Sequence, residues 1–406
     1  MIVLDLSRLL SRAGRETPSG IDRVELAYAE HLIAADASAL FACTTALGGL
    51  GLVPRPLAED FVMALAAAWR RGTSAADLAT VRRRGWRARL AAMAGGERRL
   101  FAALRESRDA PVYLLVSHHH LEKPAIIARL KTRTAARFVC LIHDLIPIEY
   151  PEYAKPGQAE NHRRRIETAT RLADALIVNS AVTRDALVPY IERSGRAPPV
   201  LVAPLGLDLP AQAAGPEAPF DRPYFVCIGT IEAKKNHLLL LNVWRRLAAE
   251  LGPAAPLLVL IGQRGWETEN VVDMLDRSPG LRGIVIEHNA LPDSEMVRIL
   301  KGARALLLPS FAEGFGFPVI EAFSVGVPAL CSDIPALRET GGVIAEYIDP
   351  LDGPGWHAAI LDYASPHSPR RAAQLERRAG WLPPLWSDHF DAVDRFIAET
   401  AISDRK

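Results

Sequence analysis

The chain has 406 residues, more than one hydrophobic core usually serves, so its length predicts two domains. Its composition is that of an ordinary soluble globular protein, and its formal net charge is +1. This balance excludes a strongly basic nucleic-acid-binding protein and a strongly acidic protein. Any electrostatic preference for a partner must therefore be local.

Neither a membrane span nor a signal peptide is predicted. No apolar run approaches the roughly 20 residues that cross a bilayer, and the opening MIVLDLSRLL is short and interrupted by Asp5. The four cysteines are scattered without a C-x-x-C pair, which is typical of buried thiols in a reducing compartment. We expect a cytoplasmic protein, or one that is peripheral to the inner face of the membrane.

Short apolar runs alternate with longer helical patterns in the first half of the chain. Such runs are typical of parallel strands covered on both faces, and the predicted strands are Ile2–Leu6, Val112–Ser117, Phe138–Ile142, Ala175–Asn179 and Val200–Ala203. Helices such as Ile21–Ala34 and Asn161–Leu172 separate them. The pattern predicts a doubly wound α/β domain.

One stretch does not follow this rhythm. Residues 58–109 have a helical pattern, no strand candidate and many arginines, and we interpret them as a helical insertion in the first domain. Two hypotheses for this stretch stay open. Its arginines cover solvated helix faces, or Arg82–Arg89, interleaved with Trp86 and Leu90, form a basic amphipathic surface that contacts anionic lipid.

The composition changes at residues 210–223, which are rich in Pro and Ala and have no periodicity, as expected for a linker. The β/α rhythm then restarts, with predicted strands at Tyr224–Gly229, Leu257–Gly262, Ile284–Glu287, Ala305–Pro309 and Ala329–Ser332. We predict two Rossmann-like domains, 1–209 and 224–384, that face a cleft lined by the carboxyl ends of strands. Residues 385–406 predict a final helix.

The most informative segment is LLLPSFAEGFGFPVIEAFSVGVPALCSD, residues 306–333. It predicts a strand, a loop with Glu313, Gly314 and Gly316, and a helix opened by a proline. Glycines let a backbone approach a ligand closely, and the N–H groups at a helix start attract anions such as a diphosphate. The carboxylates of Glu313 and Glu321 beside such a cradle indicate a ligand that carries sugars as well as phosphates.

A second motif, FVCIGTIEAKKNH, occupies residues 225–237. It predicts a strand, a turn at Gly229 and a helix that starts near Asn236. Lys235 would project into the cleft as a fixed positive charge. Such a charge can stabilise a leaving diphosphate as negative charge grows on it.

The first domain contributes three weaker signals. Gly20 precedes an amphipathic helix. His143 and Asp144 follow a strand, which predicts an acid/base or sugar-contacting pair; the alternative is a helix-capping Asp beside a packed His. His118 or His119 is a candidate acceptor contact, because three consecutive histidines cannot all point one way and no spaced partner indicates a metal site.

Two glutamates with seven residues between them, GFGFP among these, resemble the retaining nucleotide-sugar glycosyltransferases of the family-4 type, whose two-domain architecture is called GT-B. The resemblance covers nearly the whole chain apart from 58–109 and is strongest from Phe225 to Asp333. It implies that residues 1–209 lie on the acceptor side, that 224–384 bind the nucleotide sugar, and that the final helix crosses back onto the first domain.

Carried over by position, the resemblance implies that Glu313 holds hydroxyls of the transferred sugar and Glu321 holds the nucleotide ribose. His143 and Asp144 match the family's HD-x-x-P loop, which contacts donor sugar and acceptor. Many relatives carry an arginine where this chain has Thr230, so either Lys235 acts alone on the diphosphate or another basic residue substitutes. The implied donor contacts are Gly20, Gly229, Thr230, Lys234, Gly314, Phe315, Gly316, Phe317 and Glu321.

The resemblance therefore implies a retaining transferase that moves a hexose or deoxyhexose, with mannose the leading interpretation, to a glycan or lipid-linked acceptor in bacterial surface-polysaccharide assembly. We predict no catalytic metal, because the cleft loops carry no D-x-D cluster, and no cofactor besides the nucleotide diphosphate sugar as co-substrate. Two alternatives stay open: a GT-B enzyme acting on a soluble sugar acceptor, and a non-catalytic subunit that binds a sugar nucleotide.

Overall fold

The computed structural model describes residues 1–46, 48–72, 74–107, 110–208 and 219–403, with side chains up to residue 400. The chain forms two compact units. The first comprises Met1–Ile148, Gly157–Gly206 and Leu385–Lys406, and the second comprises Glu149–Pro156 and Leu207–Pro384. Most of the predicted linker 210–223 lies outside the described residues.

The first unit is built on a sheet with the order β3-β2-β1-β4-β5-β6-β7 among its described residues. All neighbouring strands are parallel except β2 and β3, which are antiparallel. The strands are β1 (Ile2–Asp5), β2 (Leu40–Thr44), β3 (Leu50–Val53), β4 (Val112–Leu115), β5 (Arg137–Ile142), β6 (Ala175–Val178) and β7 (Val200–Val202). The predicted doubly wound domain is confirmed, although the edge strands β2 and β3 were not predicted.

Helices connect and cover these strands. They are α1 (Ser7–Ser11), α2 (Gly20–Ala35), α3 (Arg55–Arg71), α4 (Ala75–Met93), α5 (Gly96–Glu106), α6 (Pro124–Arg133), α7 (Ile146–Glu149), α8 (Gln158–Leu172) and α9 (Ala181–Ser194). Capping boxes start two of them: Ser19 with Asp22 starts α2, and Ser74 with Asp77 starts α4. The arginine-rich stretch is thus helical over α3 to α5, while residues 108–109 lie outside the described part. That these helices form an insertion stays a prediction.

The second unit has a parallel sheet with the order β10-β9-β8-β11-β12-β13 in the described part. Its strands are β8 (Tyr224–Ile228), β9 (Leu257–Ile261), β10 (Val285–His288), β11 (Leu306–Leu308), β12 (Ala329–Ser332) and β13 (Glu346–Ile348). The first five nearly coincide with the predicted strands, and β13 was not predicted. Trp244, Trp356 and Tyr363 are fully buried in the core of this unit, which supplies large apolar area for its stability.

The helices of the second unit are α10 (His237–Leu251), α11 (Glu269–Arg277), α12 (Asp293–Lys301), α13 (Phe317–Ser324), α14 (Pro335–Gly341), α15 (Gly353–Ala364) and α16 (Pro369–Arg378). The short segment Glu149–Pro156 also packs in this unit, whereas the sequence assigned it to the first domain. Aromatic side chains hold the segment in this unit. Tyr153 stacks on Phe311 with ring centroids 5.5 Å apart, and Trp266 Nε1 donates a hydrogen bond to the Tyr153 carbonyl.

The last helix, α17 (Trp386–Ser403), belongs to the first unit. Tyr28 of α2 and His389 share a buried hydrogen bond of 2.7 Å, and Arg137 of β5 donates to the Thr400 hydroxyl at 2.9 Å. The Phe390 ring stacks on His31 at a centroid distance of 3.9 Å. These contacts fasten the helix to both a strand and a helix of the first unit.

Candidate functional site

The topology of each sheet identifies where a ligand would bind. Open parallel sheets bind ligands outside the carboxyl ends of their strands, at the point where the strand order reverses. In the second unit this point lies between β8 and β11, which pair at Val226 and Leu306. The loops that follow these two strands are residues 229–236 and 309–316. They carry Lys235 and Glu313, so the fold brings the two strongest sequence candidates together.

Lys235 and Glu313 form a short ion pair. Lys235 Nζ lies 2.6 Å from Glu313 Oε1, and their side chains are 12% and 8% exposed. The Ser310 hydroxyl donates to the same carboxylate oxygen at 2.6 Å, and the Phe311 N–H donates to the Lys234 carbonyl at 2.8 Å. Lys235 is therefore not the solitary charge that the sequence suggested. Side chain and backbone together tie the two loops to each other.

The carboxyl group of Glu313 is ionised. Burial raises its pKa, but the positive charges of Lys235 and Lys234 and the hydrogen bonds from Lys235 and Ser310 outweigh burial, so the net pKa is lowered. Lys234 has its own acidic neighbour, with Nζ 3.4 Å from Glu232 Oε1. An ionised carboxylate at this position can accept hydrogen bonds from hydroxyl groups.

The glycine-rich loop has the backbone that its sequence requires. Gly316 has φ +92°, a left-handed conformation, and precedes α13 as its N-cap. A Cβ at Gly316 would lie 2.8 Å from a Leu337 methyl group, so a side chain there would displace Leu337 and strain the backbone. The Thr340 hydroxyl donates to the Phe315 carbonyl, and the Phe315 and Phe317 rings pack edge to face at 5.4 Å. The loop is thus held rigidly at the start of a helix, where N–H groups lack helical acceptors.

The other donor candidates lie around these loops. Gly229 follows β8 directly, and a Cβ there would lie 3.3 Å from Lys235 Cε, so the lysine chain lies over the glycine. Thr230 comes next, with its methyl group close to Gly265. Gly314 lies in the loop between Glu313 and Phe315, and Glu321 is buried in α13. Their roles as donor contacts stay predictions.

Arg264 is the basic residue best placed to substitute for the missing family arginine, since it follows β9 and bridges to Ile231. Its guanidinium is already engaged: Nη2 lies 2.7 Å from Asp276 Oδ1 and 2.8 Å from Glu287 Oε2. Two carboxylates leave no net positive charge at this position. This arrangement favours Lys235 as the cation for a diphosphate.

In the first unit the strand order reverses between β1 and β4. Gly20, after the loop of β1, is the first residue of α2. The Asp22 carboxylate accepts the Ser19 N–H at 2.8 Å and is bound by Arg8 and Arg12 at 2.6 and 3.3 Å. A protein carboxylate therefore occupies the anion position of this helix start. The assignment of Gly20 to donor phosphates stays a prediction.

His143 and Asp144 follow β5, at the same edge of the sheet. His143 Nε2 lies 2.7 Å from the Val116 carbonyl, so this nitrogen carries the proton, while the His143 backbone N–H donates to His118 Nε2 at 3.2 Å. Burial lowers the pKa of His143 to about 4, which keeps the ring neutral. Asp144 Oδ1 accepts the Ile146 N–H at 3.1 Å at the start of α7. The alternative of a helix-capping Asp beside a packed His is therefore present in the structure. The other ring nitrogen of His143, Nδ1, can accept a proton or a hydrogen bond from a hydroxyl group.

The three consecutive histidines occupy three environments. His118 is buried, with its ring 4.8 Å from that of His162, a contact from α8 that the sequence did not predict. His120 has φ +54° and binds Asp5 through Nε2 at 3.1 Å. His119 is only partly buried. Of the two acceptor candidates, His119 is therefore the more accessible ring.

The described residues contain no group of three or more His, Cys, Asp or Glu side chains arranged to hold a metal ion. Among the helices of the described ranges, none combines the length and apolar character that a membrane crossing requires.

Comparison with known proteins bears most directly on the second unit. Residues 211–342 match the sequence model of the family Glycosyl transferases group 1, a stretch that contains both loops of the Lys235–Glu313 pair. The family resemblance predicted from the glutamate spacing and GFGFP is confirmed over this stretch.

Two curated relatives are mannosyltransferases of Escherichia coli. O-antigen chain mannosyltransferase B is 36% identical over 151 residues, which cover 37% of this chain and 39% of the relative. Serotype-specific mannosyltransferase WbdA is 28% identical over 234 residues, which cover 53% of this chain and 28% of the relative. The chain thus spans well under half the length of these two relatives.

A solved structure extends the likeness over the whole chain. Sucrose-phosphate synthase from Thermosynechococcus elongatus superposes with a TM-score of 0.63 at 14% identity, covering 100% of this chain and 99% of that one. At this identity the likeness concerns the fold. The predicted GT-B fold, with two parallel-sheet α/β units, is confirmed.

The buried histidines predict how stability depends on pH. Burial is the main cause that lowers the pKa of His143 and of His237 to about 4, against about 6.5 in an unfolded chain. Between these values the unfolded state binds more protons, so stability is full above pH 6.5 and falls as the pH drops towards 4. We expect the free energy of unfolding, measured with urea, to decrease between pH 7.5 and 5.5. His143→Gln should reduce the slope, whereas the exposed His367→Gln should not; equal slopes would contradict this origin.

Proposed function

We propose that this protein is a retaining glycosyltransferase that moves a mannose-type hexose from a nucleotide diphosphate sugar to a glycan or lipid-linked acceptor in surface-polysaccharide assembly. The observation that carries the proposal is the Lys235–Glu313 pair of 2.6 Å at the switch point of the second sheet. It lies inside the domain that matches group 1 glycosyl transferases. The two Escherichia coli relatives, a mannosyltransferase of the O-antigen chain and a serotype-specific mannosyltransferase, support mannose and a surface polysaccharide.

In this proposal each group of the pair acts on one part of the donor. The Lys235 ammonium and the amides at the start of α13 bind the diphosphate and stabilise its growing negative charge. The Glu313 carboxylate accepts hydrogen bonds from hydroxyl groups of the sugar. The bond between the anomeric carbon and the diphosphate oxygen breaks, and its electron pair leaves with the phosphate. An acceptor hydroxyl forms the new bond on the same face, and its proton passes to the departing phosphate oxygen.

Donor binding must rearrange the ion pair. Lys235 and Glu313 neutralise each other in this pair, so a diphosphate competes with the carboxylate for the ammonium. Hydrogen bonds from the sugar hydroxyls then replace the contact with Lys235 that Glu313 loses. Binding of the phosphates and binding of the sugar are therefore coupled, because each replaces one half of the same pair. This coupling favours an intact nucleotide sugar over a free nucleotide.

Two alternatives differ from the proposal in a measurable way. A GT-B enzyme with a soluble acceptor would give a radiolabelled product in the aqueous phase, whereas a lipid-linked acceptor would give a lipid-extractable product. A non-catalytic subunit would bind a sugar nucleotide without turnover. The Lys235–Glu313 pair lies inside the stretch that matches group 1 glycosyl transferases, which supports catalysis over binding alone.

The roles of the two glutamates are tested by substitution. Glu313→Gln removes the charge that faces the sugar hydroxyls, so we expect kcat to fall about 100-fold while KM for the donor changes little. Glu321→Ala should mainly raise KM for the donor. GDP-mannose and UDP-glucose are the donors to assay, and Glu376→Gln, an exposed carboxylate on α16, is the matched control. Transfer by Glu313→Gln at the wild-type rate would contradict the assignment.

The proposed reaction needs no metal, because Lys235 and backbone dipoles supply the positive charge. We expect transfer from GDP-mannose to continue in excess EDTA at close to the untreated rate. A loss of activity on chelation that Mg²⁺ or Mn²⁺ restores would overturn this part of the proposal.

We propose further that helix α4 contacts an anionic membrane surface. Trp86, Leu90 and Met93 are spaced at i, i+4 and i+7 on one face of the helix and are 62%, 41% and 47% exposed. Exposed arginines surround them: Arg82, Arg83, Arg87 and Arg89. Guanidinium groups attract acidic headgroups while the apolar side chains insert at the interface. Such a surface would suit an enzyme with a lipid-linked acceptor.

Co-sedimentation with vesicles tests the α4 surface. We expect binding to phosphatidylglycerol vesicles at low salt, weaker binding at high salt, and little binding to phosphatidylcholine. Arg83→Ser/Arg87→Ser should weaken binding about tenfold or more, since each arginine contributes about 1 kcal/mol near an acidic surface. The control is Arg133→Ser/Arg282→Ser, which changes two exposed arginines elsewhere. Equal, negligible sedimentation under all conditions would leave the arginines as solvated helix faces.

A further inference from the structure

Three aromatic rings form a stacked column in the second unit. The Tyr150 and Tyr153 rings lie 6.0 Å apart at an interplanar angle of 19°, and Tyr153 and Phe311 lie 5.5 Å apart at 11°. Phe311 is the base of the column, two residues before Glu313. Its N–H donates to the Lys234 carbonyl at 2.8 Å. The column is therefore attached to the backbone of both loops that carry the Lys235–Glu313 pair.

The local backbone explains why the two tyrosines stack. Residues Pro151–Tyr153 form one turn of 3₁₀ helix, closed by a bond of 3.0 Å from the Tyr153 N–H to the Tyr150 carbonyl. Side chains three residues apart eclipse each other in this geometry. Pro151 restricts φ at the first position of the turn. The sequence YPEY thus favours a stacked pair even before tertiary contacts form.

A second set of contacts fixes the turn in place. Trp266 Nε1 donates to the Tyr153 carbonyl at 3.4 Å, and the Lys155 ammonium lies 4.8 Å from the centre of the Trp266 ring. Tyr153 itself is covered by a ring on each side. Tyr150 is the end of the column and is 38% exposed. The result is a rigid column with an accessible aromatic ring at its outer end.

An exposed ring on a rigid support is suited to bind a pyranose. Aromatic side chains supply a large apolar contact at low conformational cost, and a tyrosine adds a hydroxyl at its rim. The C–H face of a sugar ring is apolar, while its hydroxyls lie around the edge, so a sugar complements such a ring.

We propose that Tyr150 is the stacking platform for a pyranose ring of the acceptor glycan, and that Tyr153 and Phe311 are its positioning residues. The inference rests on the proposed transferase function. In that function the donor ribose is assigned to Glu321 on α13, so the nucleoside end of the donor belongs with that helix. The column instead rises from Phe311, at the opening of the loop before Glu313. The sugar ring that it receives is therefore one of the acceptor.

The test separates acceptor from donor. GDP-mannose is the donor, and α-linked mannotriose and maltotriose are the soluble acceptor probes. Tyr150→Ala should raise KM for the better acceptor about fivefold to tenfold, the loss expected for one stacking contact, and leave KM for the donor unchanged. Tyr150→Phe should retain most of the acceptor affinity, because it keeps the ring. Tyr150→Leu keeps apolar bulk without the flat face and should resemble Tyr150→Ala.

Two further measurements test the role of Tyr150 separately from the proposed transferase function. Slow hydrolysis of GDP-mannose, with water in place of the acceptor, should be detectable in the wild type, which tests donor turnover independently of the platform. Saturation-transfer NMR should detect mannotriose or maltotriose bound to the wild type and show a reduced signal for Tyr150→Ala, without any turnover. Absence of both hydrolysis and transfer in the wild type would overturn the proposed function. An unchanged acceptor KM and NMR signal in Tyr150→Ala, or a raised donor KM, would overturn the platform.

Discussion

The candidate site depends on one interaction, the 2.6 Å contact between Lys235 and Glu313. Removing one partner of a largely buried pair leaves the other charge without compensation, which commonly costs about 3–5 kcal/mol. The pair therefore holds the loops after β8 and β11 in register. The Ser310 hydroxyl, the stacked column and the glycine-rich turn are all placed relative to these loops. The two side chains proposed to act on the donor are thus also the contact that joins the loops.

Much of the second unit could be predicted from the sequence, because its strands are continuously apolar and its turns carry Gly and Pro. Strands such as Tyr224–Ile228 and Ala329–Ser332 lie where the pattern placed them. Since parallel strands end at one edge of a sheet, the motifs around Lys235 and Glu313 were expected at the same edge. What the sequence could not indicate was that β8 and β11 are neighbours and that Lys235 pairs with Glu313. The pairing is set by side-chain geometry across 78 residues of chain.

The missed features have a common physical origin in tertiary packing. The antiparallel pair β2 and β3 and the three-residue strand β13 were not predicted, and each is placed by pairing with a neighbouring strand. His162 reaches the histidine cluster from α8, and nothing in its local sequence distinguishes it from a surface residue. Ser310 offered a weak signal, since a hydroxyl at the carboxyl end of a strand is a frequent ligand contact. Segment 149–156 was assigned to the wrong domain because its aromatic partners are distant in the sequence.

The chain crosses between its units four times, after Ile148, Pro156, Gly206 and Pro384. One consequence concerns the nascent polypeptide. The first unit cannot acquire α17 until the ribosome has translated the intervening second unit, which takes roughly 10–40 s at about 5–20 residues per second. During that interval Tyr28 and Arg137 lack the contacts that they make with α17. The first unit is therefore completed only after the whole of the second unit has been synthesised.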